Sequence, residues 1–244
     1  MGGGKDRKIG GLAVDYLCDN FFKEKSARSQ IPIAMYFLCK MQTTKAIIFD
    51  LGGVLLDIDF QLTDRAFTDL GVNNFAGYFN QFHCNDLFKK LETGVDEALF
   101  YDAFRSETGL LLSDVQIRDA WNALLLDFRL ESLAILQQLK NRYQLYLLSN
   151  TNEIHLQEFQ HRYSLLQQKQ RFDDLFDAAY YSHRIGHRKP NASAFDYVLE
   201  AHKLNPAETI FIDDSSTNIE AAKQLGLQTI HLQPGMRVEA LGLI

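Results

Sequence analysis

Acidic and hydroxyl side chains follow three short apolar runs of the sequence, each at the point where the run ends. Asp50 follows the first run, Ser149 the second and Asp213-Asp214 the third. Three carboxylates at one place repel one another unless a cation lies among them, and all-oxygen ligands beside a phosphate suit Mg²⁺. The hydroxyl of Ser149 and the ammonium of Lys189 would then hold the outer oxygens of a phosphoryl group. These residue types therefore indicate phosphoryl chemistry with magnesium, provided that the fold brings them together.

The three apolar runs have the composition of buried parallel strands. They are rich in β-branched and aromatic residues, and each stops at a polar residue, as a strand that ends in a loop does. In an open parallel sheet, ligands bind outside the carboxyl ends of the strands, where these polar side chains would meet. Strands that alternate with helical segments predict an α/β fold, a doubly wound parallel sheet with a Rossmann-like core. Strong strands are predicted at 46–49, 145–148 and 210–212, and weaker ones at 178–181 and 229–232.

Each polar residue also has a purely structural explanation when it is taken alone. Asp50 would open a turn, Ser149 with Asn150 would cap a helix, and Asp213-Asp214 would begin another helix. The placement of all three groups at successive strand ends favours a shared site.

Residues 58–130 separate the first strong strand from the second and have helical character. Leu99, Ala103 and Phe104 form one apolar helical face, and Trp121 is expected in the interior rather than in a substrate platform. An insertion of this length with its own apolar faces predicts a small α-helical domain rather than a loop. We call residues 58–130 the cap region. Its helices are predicted near 62–70, 86–91, 96–107 and 113–126.

Residues 1–40 differ from the rest of the chain. They contain a run of three glycines, mixed charge and no sustained strand or helix periodicity. Met41 lies just before the first strand, so this segment is expected to be an extension upstream of the true start, with a tag remnant or a poorly ordered arm as alternatives. The catalytic core is predicted to comprise 41–57 and 131–244.

Composition excludes several classes of protein. The formal net charge is −6, so there is no basic field to hold nucleic acid. The longest apolar stretch, residues 31–39, is far shorter than the roughly 20 residues of a membrane helix. Cys18, Cys39 and Cys84 are odd in number and widely spaced, which argues against a disulfide framework or a zinc cluster. We expect a cytoplasmic protein whose partner is a small-molecule phosphate ester, with no nucleic acid and no membrane.

Four segments of the sequence resemble the four motifs of the haloacid dehalogenase superfamily, in family order. The match extends roughly from residue 45 to residue 232, and the cap region lies where the first type of cap domain of that family is found. The segments are 47–55 (Ile-Ile-Phe-Asp-Leu-Gly-Gly-Val-Leu), 147–150 (Leu-Leu-Ser-Asn), 188–190 (Arg-Lys-Pro) and 212–214 (Ile-Asp-Asp).

The resemblance implies a phosphatase and a role for each matching residue. Asp50 would be the nucleophile that forms an aspartyl-phosphate. Ser149 and Lys189 would act with it in catalysis by orienting the phosphate and balancing its charge. Ser149, Asn150 and Lys189 would bind the substrate.

The resemblance also implies the ligands of a magnesium ion. Asp50 and Asp214, with Asp213 beside it, would hold Mg²⁺ through their carboxylates. Gly52 would add its backbone carbonyl, which any side-chain replacement leaves in place. We therefore expect metal binding to be intact.

The sequence departs from the family pattern at Gly52. Most phosphatases of this superfamily have a second aspartate there, which serves as general acid and base, and losing such a group costs a factor of about 10² to 10⁴. The form Asp-Leu-Gly-Gly resembles a branch that includes sugar-phosphate phosphatases, some acting on α-D-glucose 1-phosphate, whose anomeric oxygen is a better leaving group. A water molecule on the metal, or Asp57 or Asp59, would supply the remaining proton transfer. For both aspartates a solvated turn is the favoured interpretation.

Three alternatives stay open. A 2-haloacid dehalogenase also uses an aspartate nucleophile, but it has no need of the Asp213-Asp214 pair. A receiver-like module carries its paired acids after the first strand and has no cap. A non-catalytic relative that acts as a binding module would explain Gly52.

Overall fold

The structure is a computed structural model and describes residues 44–80, 83–168 and 170–244. Its strands are β1 (Ala46–Phe49), β2 (Leu56–Ile58), β3 (Phe79–Asn80), β4 (His83–Cys84), β5 (Leu125–Phe128), β6 (Gln144–Ser149), β7 (Ala178–Tyr181), β8 (Thr209–Asp213) and β9 (Gln228–His231). Five of them form a parallel sheet in the order β7-β6-β1-β8-β9, which confirms the predicted doubly wound α/β fold. All five predicted strands are present, with ends that differ by at most one residue.

Helices cover the sheet because its strands are apolar on both faces. The helices are α1 (Phe60–Asp69), α2 (Asp86–Leu91), α3 (Glu97–Thr108), α4 (Asp114–Asn122), α5 (Leu130–Leu139), α6 (Glu153–Leu166), α7 (Ser182–Ile185), α8 (Ala192–His202) and α9 (Ser216–Gln224). Phe195 of α8 and Ile219 of α9 pack in one cluster with Ile48 and Phe211 of the sheet. Alternate strand residues point to the opposite face, and there Ile47 is also fully buried.

Side-chain caps begin most of the helices near the cavity. The side chains of Asp59, Asn85, Asp96, Ser113 and Asn152 each accept a hydrogen bond from a backbone N–H in the first turn of α1, α2, α3, α4 and α6. Such a cap typically contributes about 1 kcal/mol. The sequence therefore specifies where these helices start.

Aromatic rings fill the interior of the cap region. Phe67, Phe75, Phe88 and Phe104 are fully buried and stack or meet edge to face, and Trp121 lies within the same cluster. Aromatic pairs of this kind add about 0.5 to 1.5 kcal/mol each beyond the area that they bury. Trp121 is thus an interior residue, as its sequence context indicated.

Two details of the cap region differ from the predictions. The helix expected at 113–126 ends at Asn122, and Leu125–Phe128 forms a strand that pairs antiparallel with β2. On α3, Leu99 is 63% exposed, whereas Phe100 and Phe104 are buried. The larger rings take the interior positions because they bury more apolar area.

Lys45–Ile244 forms one compact unit. The predicted N-terminal extension, 1–40, lies outside the described residues, and the boundaries 41–57, 58–130 and 131–244 stay predictions. Within the described part of the chain, no helix combines the length and the apolar character that crossing a membrane requires.

Candidate active site

The carboxyl ends of β1, β6 and β8 bring three predicted residues to one edge of the sheet. Phe49 pairs with Ile212, and the backbone N–H of Asp50 donates to the carbonyl of Ile212 at 2.9 Å. Asp213 comes next along β8, so its carboxylate lies beside that of Asp50. Ser149 ends β6 on the other side of β1, is 3% exposed and lines the same cavity as Asp50.

Lys189 links the two strand ends. Its Nζ donates to Oδ1 of Asp50 at 2.7 Å and to Oδ2 of Asp213 at 2.8 Å. The lysine side chain is 1% exposed, so both ion pairs are shielded from water. Charge-assisted hydrogen bonds in such surroundings are strong and hold the ammonium in one place.

The neighbouring aspartates at the end of β8 have different surroundings. Asp213 is fully buried, and both of its oxygens accept hydrogen bonds, from Lys189, the backbone N–H of Ser215 and the amide of Asn218. The carboxylate of Asp214 accepts no hydrogen bond from another described residue, and Asp214 lines the cavity. Its oxygens are therefore available to a ligand, while those of Asp213 hold Lys189.

Burial and mutual repulsion change the pKa values in this cluster. Burial raises the pKa of Asp50 to about 7, against the opposing effect of Lys189, and the carboxylates of Asp213 and Asp214 add to the rise. Burial also raises the pKa of Asp214, and Asp213 adds to this effect. Burial alone would lower the pKa of Lys189, but Asp213 and Asp50 outweigh it, so its pKa is raised. The site thus has more negative charge than its own lysine neutralises.

The donor set of this cluster fits a magnesium ion. Asp50, Asp213 and Asp214 offer carboxylate oxygens that all lie within 4.8 Å of one another. Gly52, whose carbonyl is the fourth predicted ligand, lines the same cavity. Carboxylate and carbonyl oxygens are the ligands that Mg²⁺ prefers, and its two positive charges would balance the excess of carboxylates over ammonium.

Gly53 is required beside this cluster. Its φ is +70°, and a Cβ built on it would lie 2.2 Å from Oδ2 of Asp214. Any other residue would be strained by the backbone conformation and would displace the Asp214 carboxylate. The second glycine of the Asp-Leu-Gly-Gly segment thus leaves room for a metal ligand.

The side chain of Asn150 is bonded to the main chain of Lys189 in both directions. Its Nδ2 donates to the Lys189 carbonyl, and its Oδ1 accepts from the Lys189 N–H, both at 2.8 Å. Asn150 lines the cavity, but its amide is occupied by the loop that carries Lys189. Asn150 therefore lies at the site, and its contacts position the main chain of Lys189.

The cluster forms the floor of a cavity of about 750 Å³. Pockets for small molecules usually measure about 300 to 1,000 Å³, so a phosphorylated metabolite fits. The rest of the cavity is lined by both polar and apolar side chains. The polar ones include Asn80, Lys89, Glu92 and Arg188, and the apolar ones include Leu56, Ile58, Phe60, Phe79, Leu124, Leu125 and Phe159.

Neither aspartate downstream of Gly52 is free to transfer protons. Asp57 accepts from Nε of Arg129 at 2.7 Å, and Asp59 caps α1 by accepting from the backbone N–H of Gln61. Neither residue lines the cavity. Both residues have structural contacts, as the favoured interpretation expected, but Asp57 lies in strand β2 and Asp59 caps α1, and neither lies in a solvated turn.

Two groups that line the cavity were not found from the sequence. His155 is held by Asn152 and by the carbonyl of Trp121, and burial lowers its pKa to about 3, so it is neutral at pH 7. Glu92 and Arg188 form an ion pair between residues 96 positions apart. His155 and Glu92 belong to no motif. Arg188 stands in the Arg-Lys-Pro segment, but its pairing with Glu92 leaves no local signal in a single sequence.

Comparison with known proteins agrees with this geometry. The sequence profile of the haloacid dehalogenase-like hydrolases matches residues 44–226. A D-ribitol-5-phosphate phosphatase from Bacteroides thetaiotaomicron is 32% identical over 195 residues, which are 78% of this chain and 93% of the relative. A sesquiterpene phosphatase from Aspergillus oryzae is 29% identical over 204 residues, 78% of this chain and 90% of the relative.

A solved structure has the same fold. It is a point variant of a haloacid dehalogenase family enzyme from Bacteroides thetaiotaomicron, in complex with magnesium and inorganic phosphate. The TM-score is 0.74 at 33% identity, over 79% of this chain and 95% of the other. The chain belongs to the haloacid dehalogenase-like hydrolases.

Proposed function

We propose that the chain hydrolyses the phosphate ester of a sugar or sugar alcohol, with Asp50 as the nucleophile. The general class of enzyme to which this activity belongs is the magnesium-dependent phosphoric monoester hydrolases. One observation carries the proposal: the Nζ of Lys189 is bonded to both Asp50 and Asp213 at the floor of the cavity, while the carboxylate of Asp214 is available beside them. This arrangement supports phosphoryl transfer because it aligns a carboxylate nucleophile and cationic groups around one phosphate.

In the first step, the Asp50 carboxylate attacks phosphorus and the bond to the leaving oxygen breaks. The leaving oxygen takes up a proton from a solvent water to become the alcohol, and the phosphoryl group stays on Asp50 as a mixed anhydride. In the second step, water attacks the same phosphorus, which releases phosphate and restores the carboxylate. Ser149 and Lys189 hold the outer phosphate oxygens, and Asp213 with Asn150 holds Lys189 in position.

Asp50, Asp214 and the carbonyl of Gly52 would hold the magnesium ion. When bound, the ion supplies positive charge that offsets the repulsion between the Asp50 carboxylate and an anionic phosphate. Both oxygens of Asp213 already accept hydrogen bonds, one of them from Lys189. The negative charge of Asp213 therefore acts mainly on the Lys189 ammonium.

The leaving oxygen distinguishes two substrate classes. Ribitol 5-phosphate, the substrate in the name of one relative, is an ester of a primary alcohol. A hexose 1-phosphate has an anomeric oxygen, which leaves more easily and needs less protonation. The absence of an acidic side chain at Gly52 favours the anomeric class, and the similarity to the ribitol enzyme favours the alcohol.

The test is a panel of phosphate esters assayed for phosphate release with and without Mg²⁺. Ribitol 5-phosphate, glucose 1-phosphate and glucose 6-phosphate are compared for the wild type and Asp50→Asn. We expect metal-dependent release, glucose 1-phosphate ahead of glucose 6-phosphate, and a loss of at least about 10³-fold in the variant. Equal activity of Asp50→Asn and wild type would refute the assigned nucleophile. Chloride release from a 2-haloacid without metal would favour the dehalogenase instead.

A second candidate substrate is an isoprenyl phosphate. The apolar part of the cavity wall, which includes Phe60, Phe79 and Phe159, favours it, as does the similarity to the sesquiterpene phosphatase. Farnesyl phosphate therefore belongs in the panel. A higher kcat/KM for farnesyl phosphate than for every sugar phosphate would replace the first proposal with this one.

A further inference from the structure

Glu92 and Arg188 form an ion pair on the wall of the cavity that contains Asp50. Nε of Arg188 donates to Oε2 of Glu92 at 2.8 Å, and Nη2 lies 2.7 Å from the same oxygen as an ion-pair contact. The side chain of Glu92 is 7% exposed and that of Arg188 is 22% exposed. Both residues line the cavity, with Glu92 in the cap region and Arg188 in the loop before α8.

Several polar atoms of the ion pair are not used in the contact between its two residues. Within the part of the chain that the structure describes, Oε1 of Glu92 and Nη1 of Arg188 have no hydrogen-bond partner. The pair therefore still has a carboxylate oxygen that can accept and N–H groups that can donate to a ligand in the cavity. This is the complement of two neighbouring hydroxyl groups, one of which donates while the other accepts.

Stability alone does not explain this pair. The Glu92 carboxylate is largely shielded from water, and this burial raises its pKa against the opposing effect of Arg188. A buried ion pair often contributes no more stability than apolar residues of the same volume. A buried polar pair on the wall of the cavity, beside Asn80 and Lys89, therefore points to recognition of a polar ligand.

The position of the pair relative to the phosphate site is well defined. Arg188 directly precedes Lys189, whose main chain is held by Asn150. On the other side, the segment that follows Glu92 approaches the core closely, since a Cβ on Gly94 would lie 2.7 Å from the carbonyl oxygen of His183. Both halves of the pair are thus held by backbone contacts.

We infer that Glu92 and Arg188 bind a pair of adjacent hydroxyl groups on the organic part of the substrate and so select polyol phosphates over simple alkyl phosphates. This inference rests on the proposed function and assigns the substrate class of the same site. Glu92 accepts a hydrogen bond from one hydroxyl through Oε1, and Arg188 donates to the other through Nη1. Binding of the diol also strengthens the contact between the cap region and the core, because it joins residues of both.

The test compares two esters with the same type of leaving group. Ribitol 5-phosphate has adjacent hydroxyls, and n-pentyl phosphate has the same chain length and none. For the wild type we expect a kcat/KM ratio of at least about 10² in favour of ribitol 5-phosphate, because a site built for hydroxyl groups rejects analogues that lack them. Glu92→Ala should lower this ratio about 10- to 30-fold, mainly through KM for the polyol, and Glu92→Gln should lower it less.

Asp114→Asn is the matched control, since it removes an ion pair with Arg105 in the cap region, and neither residue lines the cavity. It should leave the ratio unchanged, and thermal melting of all variants checks that they fold. A ratio in Glu92→Ala equal to that of the wild type, or a wild-type ratio near one, would overturn the inference and leave the phosphatase standing. Failure of the wild type to release phosphate from any ester would instead remove the proposed function.

Discussion

The two sides of the cavity are built in different ways. At the sheet edge, Asp50, Lys189 and Asp213 are bonded to one another and come from strand ends or the loop next to them. On the cap side, the cavity is lined by apolar side chains such as Phe60 and Phe79, by the polar Lys89, and by Glu92, whose ion pair with Arg188 joins the cap region to the core. The sheet edge therefore determines how a phosphate is held, and the cap side determines which organic group is accepted.

This difference predicts that substitutions at the sheet edge change the rate on every substrate. Substitutions on the cap side should change the ranking of substrates instead.

Gly53→Ala should reduce kcat/KM for all phosphate esters by at least about 10²-fold, because the new Cβ would displace the carboxylate of Asp214. The apparent affinity for Mg²⁺, measured by titration of activity, should fall in parallel. The control is Gly109→Ala, whose φ of +71° is almost the same but whose Cβ would have no atom within 4 Å. Gly109→Ala should cost about 1 kcal/mol of stability and no activity. Equal effects of the two substitutions would show that strain, and not displacement, is responsible.

Asn150→Ala should lower kcat about 30- to 100-fold with little change in KM, since Lys189 would lose both bonds that orient its main chain. The effect should be the same for polyol and alkyl phosphates. The control is Asn205→Ala, which removes a cap from the short Pro206–Glu208 helix. A rise in KM for one substrate class only would mean that Asn150 contacts the substrate directly.

His155 should make folding stability depend on pH. Its pKa is about 3 in the folded protein, against an ordinary value of 6.5, so the unfolded chain binds more protons between these values. Stability is therefore lost as pH falls below 6.5, by about 2 kcal/mol between pH 7 and pH 5. Urea unfolding at the two pH values should show this loss in the wild type and a loss smaller by that amount in His155→Gln. Parallel curves for both proteins would exclude a neutral, buried His155.

Gly52→Asp should raise the rate on alcohol phosphates about tenfold relative to 4-nitrophenyl phosphate, whose leaving group needs no proton. A Cβ at Gly52 would lie 2.9 Å from Cδ1 of Ile58, the flexible end of a side chain that can move. Gly52→Ala, which carries the same Cβ without the acid, measures the steric part. If both variants rank the esters alike, the missing acid does not explain the substrate preference.

Much of the architecture could be predicted from the sequence. The strands of the sheet carry their apolar runs and polar ends locally, and capping residues such as Ser113 mark the helix starts. The packing of the cap region was harder to predict from the sequence. Leu99 and Phe100 are adjacent on α3, and both are apolar. Only packing against the other aromatic rings decides that Phe100 is the buried residue of the two.

The site divides in the same way. The motif residues Asp50, Ser149, Asp213 and Asp214 were identifiable because strand order and direction bring strand ends together whatever the details of packing. The contact of Asn150 with the main chain of Lys189 could not be predicted from the sequence. An asparagine looks the same in a sequence whether its amide contacts the substrate or the main chain.

The sequence alone thus determined the α/β fold and the residues that gather at the sheet edge, because these follow from periodicity and from the order of strands along the chain. The family was indicated by the resemblance of four motif segments. Only the tertiary structure decided that both oxygens of Asp213 accept hydrogen bonds, whereas the Asp214 carboxylate has no partner among the other described residues, and that Glu92 meets Arg188. The physical reason is that hydrogen-bond partners are chosen by distance in space. A residue 96 positions away along the chain can occupy or release a polar group without any trace in the residues around it.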